Sequence, residues 1–326
     1  MRRWITLVLA LGLSGPLAAA TLLNASFDST REFYRDLNAA FLSAWQAQGH
    51  PPTQIQMSHG GSGKQARAVI AGLDADVVSL ALPGDIDQLA RRGLLAADWS
   101  QRLPQASAPY TSTIVMLVRA GNPKAIHDWS DLARPGVGVI SASPKSSGGA
   151  RWVYLAIWGA LTQEGASNAE ILGLMRRIVH NVPVWDSSAR AATTTFVQRG
   201  IGDVLLTWES EALLSLDRLG KGEYELIRPR WSILATPSIA LVDSVADAHG
   251  SRDLAQAYLQ FHYSSEGQSL AARHHFRPRD TAALGAEPTL PAMQLFTVEQ
   301  VFGSWTEAEA SHFADGASFD QAQTEH

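Results

Sequence analysis

The 326-residue chain contains no cysteine. Disulfides, iron–sulfur clusters, thiolate zinc sites and cysteine nucleophiles are therefore excluded together. Charge is also sparse. Only 17% of residues are Asp, Glu, Lys or Arg, against 46% hydrophobic, a balance that points to packed domains and away from a disordered chain. Positive charge is in deficit: 26 Lys+Arg face 31 Asp+Glu, a formal net charge of −5. Nucleic-acid binders carry a basic field, so no nucleic-acid partner is expected. There is no low-complexity tract and no repeat of fixed period. Past the first twenty residues no apolar run reaches the 18 residues that a membrane span needs.

Those first twenty residues read as a secretory signal peptide. Arg2 and Arg3 give a positive start, Ile5 to Leu13 is a short apolar run, and Ala18, Ala19 and Ala20 supply a small-residue cleavage site. The run is too short to cross a bilayer. The expected product is a soluble chain outside the cytoplasm, in the periplasm. Its length suggests two domains or two lobes with an ample core.

Strand and helix patterns alternate along the rest. Phe33, Leu37, Phe41 and Trp45 recur every four residues, which places them along one helix face. Residues 76–82, 113–118, 137–141 and 203–207 read as buried strands, and 233–242 as extended around Pro237. Helical patterns follow at Trp152 to Gly159, at Ala212 to Leu216 and at Leu254 to Phe261. This alternation predicts α/β architecture with parallel sheets. Proline-containing stretches at Pro104–Pro109 and Pro229–Pro237 are candidate crossings between lobes.

Open α/β sheets bind ligands beyond the carboxyl ends of their strands. Five turns there carry chemistry: 26–30 (SFDST), 58–64 (SHGGSGK), 143–151 (SPKSSGGAR), 186–190 (DSSAR) and 207–209 (TWE). A helix start leaves backbone N–H groups without partners and carries roughly half a positive charge. Glycine admits close approach to those groups, and serine adds a hydroxyl donor. Several such starts converging make an anion site that needs no lysine or arginine in contact.

Competing readings fit less well. The 58–65 segment is no phosphate loop, because Gln65 stands where Ser or Thr is required and Ser58 where the first glycine is. It is no nucleophile elbow either, because Lys64 replaces the last glycine. His274 and His275 are adjacent and lack a carboxylate at ligand spacing, so no metal is expected there. Trp208 stands apart among ten tryptophans: it closes a strand where a ligand would sit, and its indole N–H only donates.

At these residues the chain resembles the periplasmic sulfate-binding proteins of bacterial ABC importers, including their thiosulfate-binding members. The matching segments are 26–34 (SFDSTREFY), 58–66 (SHGGSGKQA), 75–82 (ADVVSLAL), 108–132 (APYTSTIVMLVRAGNPKAIHDWSDL), 144–159 (PKSSGGARWVYLAIWG), 199–214 (RGIGDVLLTWESEALL) and 276–280 (FRPRD). The resemblance implies an α/β, two-lobed periplasmic binding protein fold (type II), with the ligand cleft between lobes joined by a hinge. It implies hydroxyl donors at Ser62 and Ser147, backbone N–H donors at Asp28, Gly148, Gly149 and Ala189, and an indole donor at Trp208. One position departs: the family commonly has glycine before the binding alanine, and here it is Ser188. That turn is expected to be less permissive, or to gain a hydroxyl.

The expectation is thus a non-enzymatic, extracytoplasmic solute-binding protein. It captures sulfate, or thiosulfate as the alternative, and passes it to an inner-membrane ABC permease that works with a cytoplasmic ATPase. No cofactor is implied, and a monomer suffices. A sulfatase- or phosphatase-like enzyme would need a nucleophile beside a base or a metal cluster, and a sensory binding module would look the same in sequence. The expected lobes are 21–112 plus 238–326, and 113–237. In this division 285–326 is the part that could touch both.

Overall fold

The computed structural model describes residues 20–219, 222–284 and 290–324. The expected leader, except Ala20, lies outside the described residues. Two mixed sheets organise the chain. The first contains β1 (Ala20–Phe27), β2 (Thr53–Gly60) and β3 (Val77–Leu80), joined by helices α1 (Arg31–Ala47) and α2 (Ser62–Ile70). The helix α3 (Pro83–Arg91) and a single left-handed turn, α4 (Pro104–Ser107), then lead to the short β4 (Tyr110–Thr111). The second sheet contains β5 (Ile114–Arg119), β6 (Val139–Ala142), β7 (Trp185–Asp186), β8 (Val204–Trp208) and β9 (Tyr224–Ile227). Its helices are α5 (Gly148–Gln163), α6 (Asn168–His180), α7 (Ala189–Val197) and α8 (Glu209–Leu219). After β10 (Trp231–Ile233) the chain returns as β11 (Ser238–Leu241) to the first sheet, in the order β11-β3-β1-β2; the second runs β7-β6-β8-β5-β9.

The sheets are not purely parallel, as the alternation had suggested. β1 runs parallel to β2 and β3, but β11 is antiparallel to β3. In the second sheet β5 is antiparallel to both β8 and β9. The odd strands are those by which the chain enters or re-enters a lobe. They arrive from the other lobe and are not delivered by a helix crossover, so nothing forces them parallel.

The fold is the two-lobed type II arrangement. Two crossings lie side by side where Ser112 and Ala235 exchange backbone hydrogen bonds of 3.0 and 2.9 Å. Thr113 Oγ1 adds a bond of 2.8 Å to the Ile233 carbonyl. The proline-marked stretches flank this pair of strands, which forms the hinge.

The tail divides between the two sheets. The sequence expectation, with 285–326 the part that could touch both lobes, put 238–326 with the first lobe. The helices α9 (Asp243–His249), α10 (Arg252–Phe261) and α11 (Ser265–Arg273) belong there, as does β12 (Arg277–Pro278), which pairs with β4. But β13 (Gln294–Phe296) pairs with β10, and α12 (Val298–Phe302), α13 (Trp305–Ala308) and α14 (Ser318–Gln323) pack on the second lobe. The cause is apolar: Phe296, Phe313 and Phe319 are each at most 4% exposed, in one core with Tyr154 and Trp158 of α5.

Gly159 is where that tail docks. A Cβ there would lie 2.3 Å from the Phe296 ring. Gly159→Val should therefore lower the unfolding free energy by about 1–3 kcal/mol through overpacking. Adding Phe296→Ala should recover part of that cost, and urea titration of the single and double variants checks it.

Candidate functional site

The site forms where the ends of both sheets face each other. On the first lobe β1 ends at Phe27, and Asp28 opens a turn of 3₁₀ helix through Thr30. Thr30 Oγ1 fixes that turn by bonding the Phe27 carbonyl at 2.5 Å and meeting Ser26 Oγ at 2.6 Å. β2 runs into Gly61 and the start of α2 at Ser62. On the second lobe β6 leads to α5 at Gly148, β7 to α7 at Ala189, and β8 ends at Trp208 itself.

Capping decides which N–H groups stay free. Ser147 Oγ accepts from Ala150 N–H at 3.3 Å, and Ser188 Oγ from Ala191 N–H at 3.3 Å. Each cap satisfies the third N–H of its helix. Gly148 and Gly149 in α5, and Ala189 and Arg190 in α7, keep N–H groups without an intrahelical acceptor. Gly61 has no side chain to cap α2, which leaves the Ser62 and Gly63 amides equally unclaimed.

These starts meet across the cleft. A Cβ on Gly149 would lie 2.6 Å from Trp208 Nε1 and 3.5 Å from the Ala189 Cβ. A Cβ on Gly148 would lie 2.9 Å from the Ser62 Cβ, on the opposite lobe. The Phe27 and Trp208 rings are 5.6 Å apart, which brings the Asp28 turn into the same group. All seven residues named from the sequence thus lie in one buried region. Trp208 is 1% exposed, and its Nε1 has no hydrogen-bond partner. Ser29 Oγ and Ser210 Oγ are likewise buried without partners, each beside a site turn.

Four cations near these turns are committed to carboxylates. Arg190 spans the lobes, 2.7 Å from Glu32 on α1 and 2.7 Å from Glu211 on α8. Arg218 joins Glu32 at 2.7 Å. Arg151 pairs with Glu309 at 2.7 Å, and Lys145 with Asp320 at 2.8 Å. Burial pushes the Glu32 carboxyl up, but Arg190 and Arg218 outweigh it and hold the group at about 2. His59 is brought down to about 4 by burial and by Arg31, so it is neutral at pH 7. His274 and His275 pair separately, with Asp36 at 2.9 Å and Asp217 at 2.6 Å.

Sequence reasoning missed one turn. At the end of β3, Ala81 donates its N–H to Ser62 Oγ at 3.0 Å and accepts from Trp152 Nε1 at 2.7 Å. The next residues are Leu82, Pro83, Gly84 and Asp85, and Asp85 Oδ2 lies 2.5 Å from Ser62 Oγ. This turn has no serine and is not among the five picked out from the sequence. Its signal was Pro-Gly-Asp opening a helix directly after a buried strand.

Comparison with known proteins agrees with this geometry. The description bacterial extracellular solute-binding protein matches residues 22–277. The chain belongs to that family, within its sulfate-binding group. It is 50% identical to the sulfate-binding protein of Escherichia coli K12, over 98% of this chain and 99% of that protein. It is 45% identical to the thiosulfate-binding protein of Pseudomonas aeruginosa, over 93% and 92%. The structure of the sulfate-binding protein SubI from Mycobacterium tuberculosis H37Rv matches with a TM-score of 0.79 and 32% identity, covering 90% of this chain and 99% of that one.

Two outcomes follow from the cleft. Glu32 has a depressed folded pKa, so its ion pairs stabilise the protein above its ordinary carboxylate range and that contribution fades as pH falls toward about 2. Glu32→Gln should lower the unfolding free energy at pH 7 by about 1–2 kcal/mol, since solvent screens part of the pair. In denaturant titrations the difference should shrink between about pH 4.5 and pH 2 and vanish below. Gly61 sits where a Cβ would lie 2.8 and 2.9 Å from the Ser146 and Ser187 carbonyl oxygens of the other lobe. Gly61→Ala should hold the lobes apart, giving a larger radius of gyration by X-ray scattering with stability changed by less than about 1 kcal/mol.

Proposed function

We propose that this protein captures sulfate between its lobes, through neutral hydrogen-bond donors, and hands it to an ABC permease in the inner membrane that works with a cytoplasmic ATPase. The donors are the N–H groups of Asp28, Gly148, Gly149 and Ala189, the hydroxyls of Ser62 and Ser147, and the indole of Trp208. The observation that carries the reading is the buried, unpartnered Trp208 Nε1, placed against Gly149 where helix starts from both lobes converge. A buried donor without a partner costs about 1–3 kcal/mol, and an anion with several acceptor oxygens removes that cost for every donor at once. The helix termini spread the compensating charge, which fits a site beside which Arg151 and Arg190 already serve carboxylates.

The donor set also sets selectivity. Sulfate is fully ionised at neutral pH and only accepts. Hydrogen phosphate carries a proton that needs an acceptor, and in a donor-only site that proton faces another donor. The mismatch costs about 1–3 kcal/mol or more, and about 1.4 kcal/mol is a factor of ten. Thiosulfate is the second reading, supported by the thiosulfate-binding relative at 45% identity.

The lobes we assign are residues 20–112 with 238–278, and 113–237 with 294–324. The protein acts as a monomer in the periplasm, closing by its hinge around one ligand. A non-enzymatic role fits the surroundings of the two serines: Ser147 Oγ caps α5, and Ser62 Oγ meets Asp85 and the Ala81 N–H, with no imidazole in either set of bonds.

Calorimetric titration of the dialysed protein tests the reading. One-to-one sulfate binding is expected, with phosphate at least tenfold weaker. Trp208→Phe removes one donor to a charged group and should weaken sulfate about 10- to 100-fold. Phosphate binding as tight as sulfate, or no oxyanion binding, would overturn it; a thiosulfate preference would keep the site and change the ligand.

A further inference from the structure

Ser62 raises a question of protons that the donor set leaves open. Its Oγ accepts the Ala81 N–H at 3.0 Å and lies 2.5 Å from Asp85 Oδ2. A hydroxyl has one proton and two lone pairs. Ala81 occupies one lone pair. If Asp85 is ionised it can only accept, so the hydroxyl proton must lie between Ser62 Oγ and Oδ2. The remaining lone pair of Ser62 is then all that is left for the cleft, and it repels a dianion. If Asp85 carries a proton, that proton fills the second lone pair and the hydroxyl's own proton is free to reach the ligand.

We propose that Asp85 is a positioning residue that works as a neutral carboxylic acid, donating to Ser62 Oγ and so turning the Ser62 hydroxyl toward the bound anion. This rests on the sulfate reading above. The surroundings suit a neutral acid. Asp85 is 1% exposed, in the first turn of α3, and its other oxygen accepts from Gln88 Nε2 at 3.4 Å. The charged groups around it are Arg67 on α2, Arg151 on α5 and Glu309 of the tail. Arg151 is 2.7 Å from Glu309, so much of its field is spent there. Burial raises the Asp85 carboxyl above the usual carboxylate range, against the pull of the Ser62 bond, Arg151 and Arg67. A dianion docked beside Ser62 raises it further, because like charge disfavours ionisation. Where Asp85 is ionised in the free protein, the proton comes from solvent as the anion enters, and sulfate binding is tied to proton uptake.

Carbon-13 spectra of aspartate-labelled protein saturated with sulfate at neutral pH decide the matter. The Asp85 carboxyl signal is assigned by its loss in Asp85→Asn. The expected result is the chemical shift of a protonated carboxyl. The shift of an ionised carboxylate in the sulfate complex would overturn the proposal while leaving sulfate binding itself intact. Calorimetry gives a second readout. Ser62→Ala should weaken sulfate tenfold or more, whereas Asp85→Asn keeps a donor to Ser62 Oγ and should stay within about threefold of the parent. A Ser62→Ala protein that binds sulfate as tightly as the parent, or more tightly, would overturn the proposal, because the hydroxyl would then be presenting a lone pair. If Ser62→Ala does not fold, the carboxyl shift in the parent protein still decides. If the parent binds no sulfate at all, the functional reading fails first and this inference with it.

Discussion

Backbone amides at helix starts are the groups around which this cleft is built. Every helix leaves its first N–H groups unpaired, and in most proteins water takes them up. Here the starts of α2, α5 and α7 are buried against one another from two lobes. Their caps make the arrangement more pointed. Ser147 and Ser188 each satisfy an inner N–H and leave the outermost ones facing the shared space. Three positive helix ends brought together repel one another, and each buried free amide adds a desolvation cost. Closed lobes therefore depend on an acceptor between them. The hinge at Ser112 and Ala235 joins lobes that each keep an apolar cluster of their own, while Phe27, Ala81 and Leu82 pack with Trp152 and Trp208 across the cleft.

Charge is arranged to leave that dependence intact. An arginine free to touch the ligand would hold an anion in an open cleft as well as in a closed one. Here Arg190 is held by Glu32 and Glu211, and the Glu32 contact reaches from one lobe to the other. The guanidinium thus favours closure without entering the site. Arg151 and Lys145, at the start of α5, are also held by carboxylates. Their pairs with Glu309 and Asp320 tie that turn to the C-terminal tail, whose place on the second lobe rests on apolar burial. Fixed dipoles need no rearrangement when the anion leaves, so release requires only that the lobes open.

Much of this was legible before any coordinates. Periodicity gave α1, β3, β5, β6, β8 and α10 within a few residues, because each is long or uniformly apolar. The site turns were legible because serine and glycine have a definite use at helix starts. What sequence did not show was relational. The antiparallel strands β5 and β11 follow from the path of the chain between lobes, and no local pattern encodes that path. The lobe that the tail joins was not legible because Phe296, Phe313 and Phe319 mark burial without naming the partner they are buried against. Asp85 is relational in the same way: only its distance to Ser62 brings it into the site.

Ser188 shows how a departure from a family pattern can be read physically. Its φ of −160° and ψ of 163° are extended, a conformation any residue adopts, so a glycine is not needed there for the turn to form. The serine also caps α7, which a glycine cannot do through a side chain. Serine at this point firms the helix start, and the Ala189 amide stays outside the intrahelical bonds. The expected loss of a permissive turn does not arise. On the donor set proposed above, a preference between sulfate and thiosulfate would turn on which ligand atom faces Trp208, Gly149 or the Asp28 turn, since sulfur is larger and accepts weakly. Trp208 is the rigid member of that group, packed against Phe27 and Trp152 with ring centroids 5.6 and 6.5 Å away. A pocket whose firmest wall is also a strong single donor favours an oxygen over a sulfur at that wall.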